Sequence, residues 1–191
     1  MDEQCPCLSG QPYLTCCAPL LSGTRKAETA GQLMRSRYCA FVKQSAEYLI
    51  QTLHPSKRRH DDAEQLRHSF IDTDWLGLTI LRQELGQPVD SSGRVEFIAR
   101  FLQAGRAGQI HECSEFVKEK DTWFYVDGSR QPESLPARNE LCWCGNGKKF
   151  KKCCGLKLNL SISIQNRGTE VMGNPDKKVK KVQARHILVA E

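Results

Sequence analysis

The chain contains no run of about 18 apolar residues, so nothing in it reads as a membrane-spanning helix. Its opening, MDEQCPC, is acidic and has neither the basic nor the apolar region of a secretory leader. Both absences predict a cytosolic address. No Asp/His dyad, nucleophile elbow or phosphate loop stands out, which favours a non-enzymatic protein. The aromatic-plus-basic platform of single-strand nucleic-acid binders is also missing. A net charge of +6 over 191 residues is moderate. It permits contact with an acidic partner without singling out nucleic acid.

Cysteine is the opposite case. Ten are present, and in a reducing compartment clustered cysteines point to metal binding or redox chemistry rather than to disulfides. Eight fall into two clusters, CPCLSGQPYLTCC (Cys5 to Cys17) and CWCGNGKKFKKCC (Cys142 to Cys154). Both read C-x-C, eight residues, C-C. Gly10 matches Gly147, and Tyr13 matches Phe150. The repeat predicts one small module used twice. The candidate ligands are Cys5, Cys7, Cys16 and Cys17 in the first module, and Cys142, Cys144, Cys153 and Cys154 in the second. Gly145 and Gly147 allow the positive φ that a tight C-x-C turn needs. Four thiolates at about 2.3 Å would close a structural zinc site, so two zinc ions per chain are expected. Disulfides between such near neighbours would be strained, and a redox site would normally be C-x-x-C in a βαβ setting. An iron–sulfur cluster stays open, since its ligands are also thiolates.

The second cluster, CWCGNGKKFKKCCG, resembles the SEC-C motif, a zinc-binding module named for the C-terminus of the SecA translocation ATPase. It differs mildly, with Trp143, Asn146 and Phe150 where the motif has Pro, Ser and Tyr. The first cluster keeps the cysteines but has Leu8 in place of a glycine, and Gln11, Pro12, Leu14 and Thr15 in place of the basic run. Two such clusters around LMRSRYCAFVKQSAEYLIQTLHPS and WFYVDGSR resemble the bacterial YchJ family, over about residues 4 to 155. That resemblance implies a cystatin-like middle domain of the kind shared with nuclear transport factor two. In SecA the resembling motif contacts an acidic export chaperone, which implies a protein-binding role.

The middle supports an α+β class on its own terms. Leu33 to Leu53 carries apolar residues at helical spacing and predicts one long helix, ended by His54-Pro55. Residues 56 to 70 read as a second, short helix. Strands are expected at Trp75–Leu81, Val95–Leu102, Ile110–Lys118 and Trp123–Val126, with AGRAG and EKDT as turns. Helices followed by an antiparallel meander fit a curved sheet wrapped around a helix. The predicted units are 1–22 (first metal module), 23–136 (α+β domain), 137–156 (second module) and 157–191 (basic linker and tail).

Arg100, His111 and Glu115 are the candidates for lining a cavity in the middle domain, against the alternative of solvated outer-face positions. Arg35 and Arg37 are expected to pair with sheet carboxylates such as Glu112 or to line a cavity mouth. Cys39 and Cys113 read as small buried hydrophobes. Lys148, Lys149, Lys151 and Lys152 surround the second cluster, with no acid among residues 145 to 157. They are the candidate contact for an acidic protein partner, with solubility of a small module as the plain alternative. Nucleic acid or ribosome contact through the same lysines, and a small-molecule or enzymatic cavity, are the competing functions. In the tail, LKLNLSISIQ alternates like a strand. ARHILVAE is similar to the opening strand of parvulin-type prolyl isomerases, with His186 at the matching position, but eight residues imply no isomerase activity.

Overall fold

The computed structural model describes residues 3–104, 106–132, 136–143 and 147–156. Cys144, Gly145, Asn146 and the expected tail strands with His186 lie outside the described residues.

Four antiparallel strands form one sheet in the order β1-β2-β3-β4. They are β1 (Thr73–Leu85), β2 (Ser92–Gln103), β3 (Arg106–Glu119) and β4 (Thr122–Arg130). Each is longer than the period-two pattern predicts, because the ladder continues into polar ends. Register shifts at Trp75/Gly77, Ile80/Arg82 and Glu115/Phe116 bend the sheet. Between β3 and β4, Lys120 and Asp121 both have positive φ, as a two-residue hairpin turn with primed geometry requires.

The sheet's inner face holds Leu78, Val95, Phe97, Ala99, Ile110, Phe116, Trp123 and Tyr125, all buried in one core. After the one-turn α1 (Ala18–Leu21), helix α2 (Ala30–Val42) lies across this face. Thr29 caps it by accepting a hydrogen bond from the Gln32 backbone N–H at 3.1 Å. Leu33, Met34, Tyr38 and Phe41 on α2 are each at most 3% exposed. Burying each is worth about 1.5–3 kcal/mol.

The single long helix expected over Leu33 to Leu53 is instead two. After α2 the chain turns at Gln44 (φ 57°), and the Ser45 N–H bonds back to the Ala40 carbonyl at 2.8 Å. This is a left-handed helix stop built without glycine. Helix α3 (Ala46–Gln51) then restarts. Beyond it, the Tyr125 N–H donates to Thr52 O and the His54 N–H donates to Tyr125 O, so the segment after α3 covers the open edge of β4. The His54 ring caps the turn at Pro55–Lys57 by accepting from the Ser56 N–H at 3.3 Å. Of the second predicted helix, residues 62 to 70 form α4 (Asp62–Phe70). No helix among the described residues is long and apolar enough to cross a membrane.

Candidate metal centres

The repeat seen in the sequence is also a repeat of backbone geometry. In the first module the Cys5 N–H donates to Gln11 O at 2.9 Å and the Tyr13 N–H to Glu3 O at 2.8 Å. In the second, the Cys142 N–H donates to Lys148 O and the Phe150 N–H to Glu140 O, both at 2.7 Å. Every one of these positions is shifted by the same 137 residues (142 − 5). The isolated bridges Gln4–Pro12 and Leu141–Lys149 obey the same shift. So do Gly10 (φ 82°) and Gly147 (φ 73°), whose positive φ turns the chain between the two cysteine pairs.

This turn gathers the thiols. The sulfurs of Cys5, Cys7, Cys16 and Cys17 lie within 4.8 Å of one another, as do those of Cys142, Cys153 and Cys154. A tetrahedral ion bonded at about 2.3 Å needs sulfur–sulfur edges of about 3.8 Å. The observed distances are 3.7 Å for Cys7–Cys16, 3.7 Å for Cys16–Cys17 and 3.9 Å for Cys153–Cys154. Both clusters therefore fit a metal ion, with Cys144 of the second outside the described residues. The thiols of the first cluster perturb one another. Hydrogen bonds from Cys17 and Cys39 hold the Cys7 thiol far below its ordinary range, and bonds to Cys39 and Cys7 push Cys17 far above it. Cys7 is thus favoured as a thiolate by the S–H donors around it, while Cys5, Cys17 and Cys39 are pushed toward the thiol form.

The two modules are seated differently. The first belongs to the main core beneath α2, where Cys5, Cys7 and Cys17 are at most 2% exposed. Arg35 donates to Cys7 O at 2.9 Å and Arg25 donates to Cys16 O at 2.9 Å, which ties the turn to the rest of the chain. Leu8, the residue in place of a glycine, has φ 56° and packs over Gly77 of β1. The second module forms a small cluster of its own, in which Cys142, Phe150 and Cys154 pack with Ala107 and Leu102. Leu102 and Ala107 are cross-strand partners. They lie on the outer face of the sheet, so the modules occupy opposite faces.

Lys148, Lys149 and Lys152 are exposed and Lys151 is half-buried. The residues proposed for a cavity are not brought together. Arg100 donates to Thr79 Oγ1 at 3.0 Å. His111 lies between Glu96 Oε1 at 2.8 Å and Pro132 O at 2.9 Å. Glu115 pairs with Arg94 at 3.1 Å, on the border of an open cleft of about 330 Å³. All three side chains stand on the outer face, because period two puts Phe97 and Ala99 of β2 inward and Arg100 outward, and Glu112, Ser114 and Phe116 of β3 inward and their odd-numbered neighbours outward.

The inner face carries the polar group instead. Glu112 and Ser114 are fully buried and Arg37 is 3% exposed. Ser114 Oγ donates to Glu112 Oε1 at 2.7 Å and the Tyr125 hydroxyl does so at 3.4 Å. Arg37 donates to Leu49 O at 2.8 Å and Thr52 Oγ1 at 2.7 Å, and its guanidinium stacks 4.6 Å over the Tyr125 ring. Glu112 Oε2 has no hydrogen-bond partner among the described residues. Burial pushes the Glu112 carboxyl up to about 6, against the opposing pull of Ser114, Arg130, Tyr125 and Arg37. Arg37 thus shares a buried network with Glu112 rather than a direct ion pair. Sequence reasoning also missed the place of Cys39. It is buried as expected, but its sulfur is 3.5 Å from that of Cys5.

Taken together, the fold is an NTF2-like α+β domain carrying SEC-C-type cysteine modules. The family described as "YchJ, middle NTF2-like domain" matches residues 29–128, and the SEC-C motif matches residues 138–156. The chain belongs to the YchJ family. Two solved structures are similar to it. The solution structure of a SEC-C motif containing protein from Rhodopseudomonas palustris is 36% identical, covering 69% of this chain and 100% of that one, with a TM-score of 0.62. The crystal structure of a sec-c motif containing protein from Psychrobacter arcticus is 30% identical, covering 80% and 95%, with a TM-score of 0.55.

Proposed function

We propose that the protein is a cytosolic adaptor that binds two zinc ions and docks an acidic protein partner through its second module. Zinc suits closed four-thiolate sites with edges near 3.8 Å, and a reducing compartment keeps such thiols available. The docking role rests on one observation, the unequal chemistry of the two modules. They share cysteines and backbone hydrogen bonds, yet only the second carries Lys148, Lys149, Lys151 and Lys152. Holding the metal therefore does not explain the lysines, and a surface outside the chain would. An acidic protein surface suits a compact cluster of ammonium groups, and such contacts weaken with salt.

The test compares metal-loaded full-length chain with a variant in which all four lysines are glutamate. Loss of salt-sensitive protein partners in the variant supports docking. An unchanged set of partners refutes it. RNA and DNA binding at low salt, abolished by the same changes, would move the proposal to nucleic acid.

A further inference from the structure

The two edges of the sheet are treated differently. Thr52 and His54 hydrogen-bond to the Tyr125 backbone and so cover β4. The other edge is β1, which pairs with β2 alone. Outside that ladder, no backbone hydrogen bond involves residues 73 to 85 among the described residues. The first half of the edge is guarded. Leu8 packs over Gly77, and register shifts at Trp75/Gly77 and Ile80/Arg82 interrupt its regular extension. Beyond the second shift the register with β2 is unbroken from Arg82 to Leu85. Leu81, Arg82, Gln83 and Leu85 are exposed there and Glu84 is half-buried. A bare edge of this kind is a template for another strand.

The residues of that stretch, Leu81-Arg82-Gln83-Glu84-Leu85, specify which strand. They are their own complement when the direction is reversed. Turned about a two-fold axis through Gln83, Arg82 falls opposite the second copy's Glu84, and Leu81 falls opposite its Leu85. Leu81 is 48% exposed and Leu85 65%, so both have apolar surface to bury. Arg82 and Glu84 pair with each other at 2.8 Å within one chain and remain open to solvent, so they can exchange that pair for two between copies. The neighbouring strands carry the pattern on. Glu84 lies opposite Arg94, which lies opposite Glu115, and Arg82 lies opposite Glu96. Pairing with a second copy makes one row of Glu115, Arg94 and Glu84, then the second copy's Arg82 and Glu96, with the sign alternating throughout. Opposite charges facing across strands favour a pairing and like charges oppose it. A slip of two residues either way would set Arg82 on Arg82 or Glu84 on Glu84, so the charges also fix the register.

We propose that β1 is a homodimer interface, in which the segment from Leu81 to Leu85 pairs antiparallel with the same segment of a second copy about a two-fold axis at Gln83. The joined sheet then runs from one β4 to the other. Both of those ends are already covered, so the assembly closes at two copies. Leu85, at φ 55°, ends the extended stretch, and the guarded half of β1 limits it on the other side. Each copy thus contributes a short segment, and association is weak and concentration-dependent.

The test is sedimentation velocity of the full chain in low-salt buffer over a range of protein concentrations. Wild type is expected to pass from monomer to dimer as concentration rises. R82E sets acid against acid across the axis and E84R sets base against base, so each alone is expected to stay monomeric where wild type is dimeric. Mixed in equal amounts, R82E and E84R place an acidic edge against a basic one, and a heterodimer is expected. A wild-type chain that is monomeric up to its solubility limit would overturn the proposal. So would a dimer that survives both reversals, which would place the contact elsewhere, and so would loss in both without recovery on mixing. Should circular dichroism show that either reversal disturbs the sheet, L81K and L85E, alone and mixed, carry the same comparison.

Discussion

Replacing Glu112 with glutamine changes one buried charge and little else in shape. Glu112 is fully buried, and its carboxyl is pushed up to about 6 from an ordinary 4.5, chiefly by burial. In the native state the group therefore holds its proton to higher pH than in the unfolded chain. Below the unfolded value both states are protonated and there is no penalty. As pH rises through the interval between the two values, the native state binds the extra proton and stability falls. A difference of about 1.5 units corresponds to about 2 kcal/mol once the pH is well above 6. Glutamine keeps an acceptor for Ser114 Oγ and never ionises. Its stability relative to wild type should rise by roughly 1 kcal/mol between pH 5 and pH 8, most of it below pH 7. Urea unfolding of both metal-loaded proteins across that range measures the difference directly, and other titrating groups cancel. A pH-independent difference would refute the reasoning and show that the Arg37 and Arg130 charges and the Tyr125 hydroxyl already compensate the buried carboxylate.

Three further expectations follow from the packing. A Cβ at Gly128 would run into the Glu112 carboxylate, so Gly128→Ala should cost about 2 kcal/mol or more in urea melts. Leu8 is held at φ 56° with its side chain 61% exposed, so Leu8→Gly should raise the melting temperature, by up to about 1 kcal/mol in stability. Chelation at neutral pH should release metal and make the clustered cysteines reactive to a thiol reagent, and acidification should do the same by protonating the ligands. Unreactive thiols after complete metal removal would show that the modules hold their shape without it.

The meander was legible because Phe97, Ala99 and Phe101 alternate with Glu96, Ile98 and Arg100, and a period of two specifies a strand wherever it occurs. The metal modules were legible because their ligands are close in sequence as well as in space. The helix break was not, since the left-handed position falls on Gln44 and no glycine marks it. The inner face of β3 was not legible either. Residues 110, 112, 114 and 116 read Ile, Glu, Ser, Phe, and residues 111, 113, 115 and 117 read His, Cys, Glu, Val. Both sets mix polar with apolar, so only packing against α2 decides which is buried. Cys39 lies 34 residues from Cys5, and no spacing rule joins a helix position to a turn that folds beneath it.

The different seating of the two modules makes them unequal partners in the life of the molecule. Cys5, Cys7 and Cys17 share their core with Leu33, Phe41 and Phe97, whereas among the described residues Cys142 and Cys154 share theirs with a few residues around Ala107. Stripping the first centre pulls a keystone from under α2, so the whole domain should loosen with it. Stripping the second detaches a pendant and leaves the arch standing. Should the second centre alone empty, the fold around α2 would stand while the segment bearing Lys148 to Lys152 goes slack.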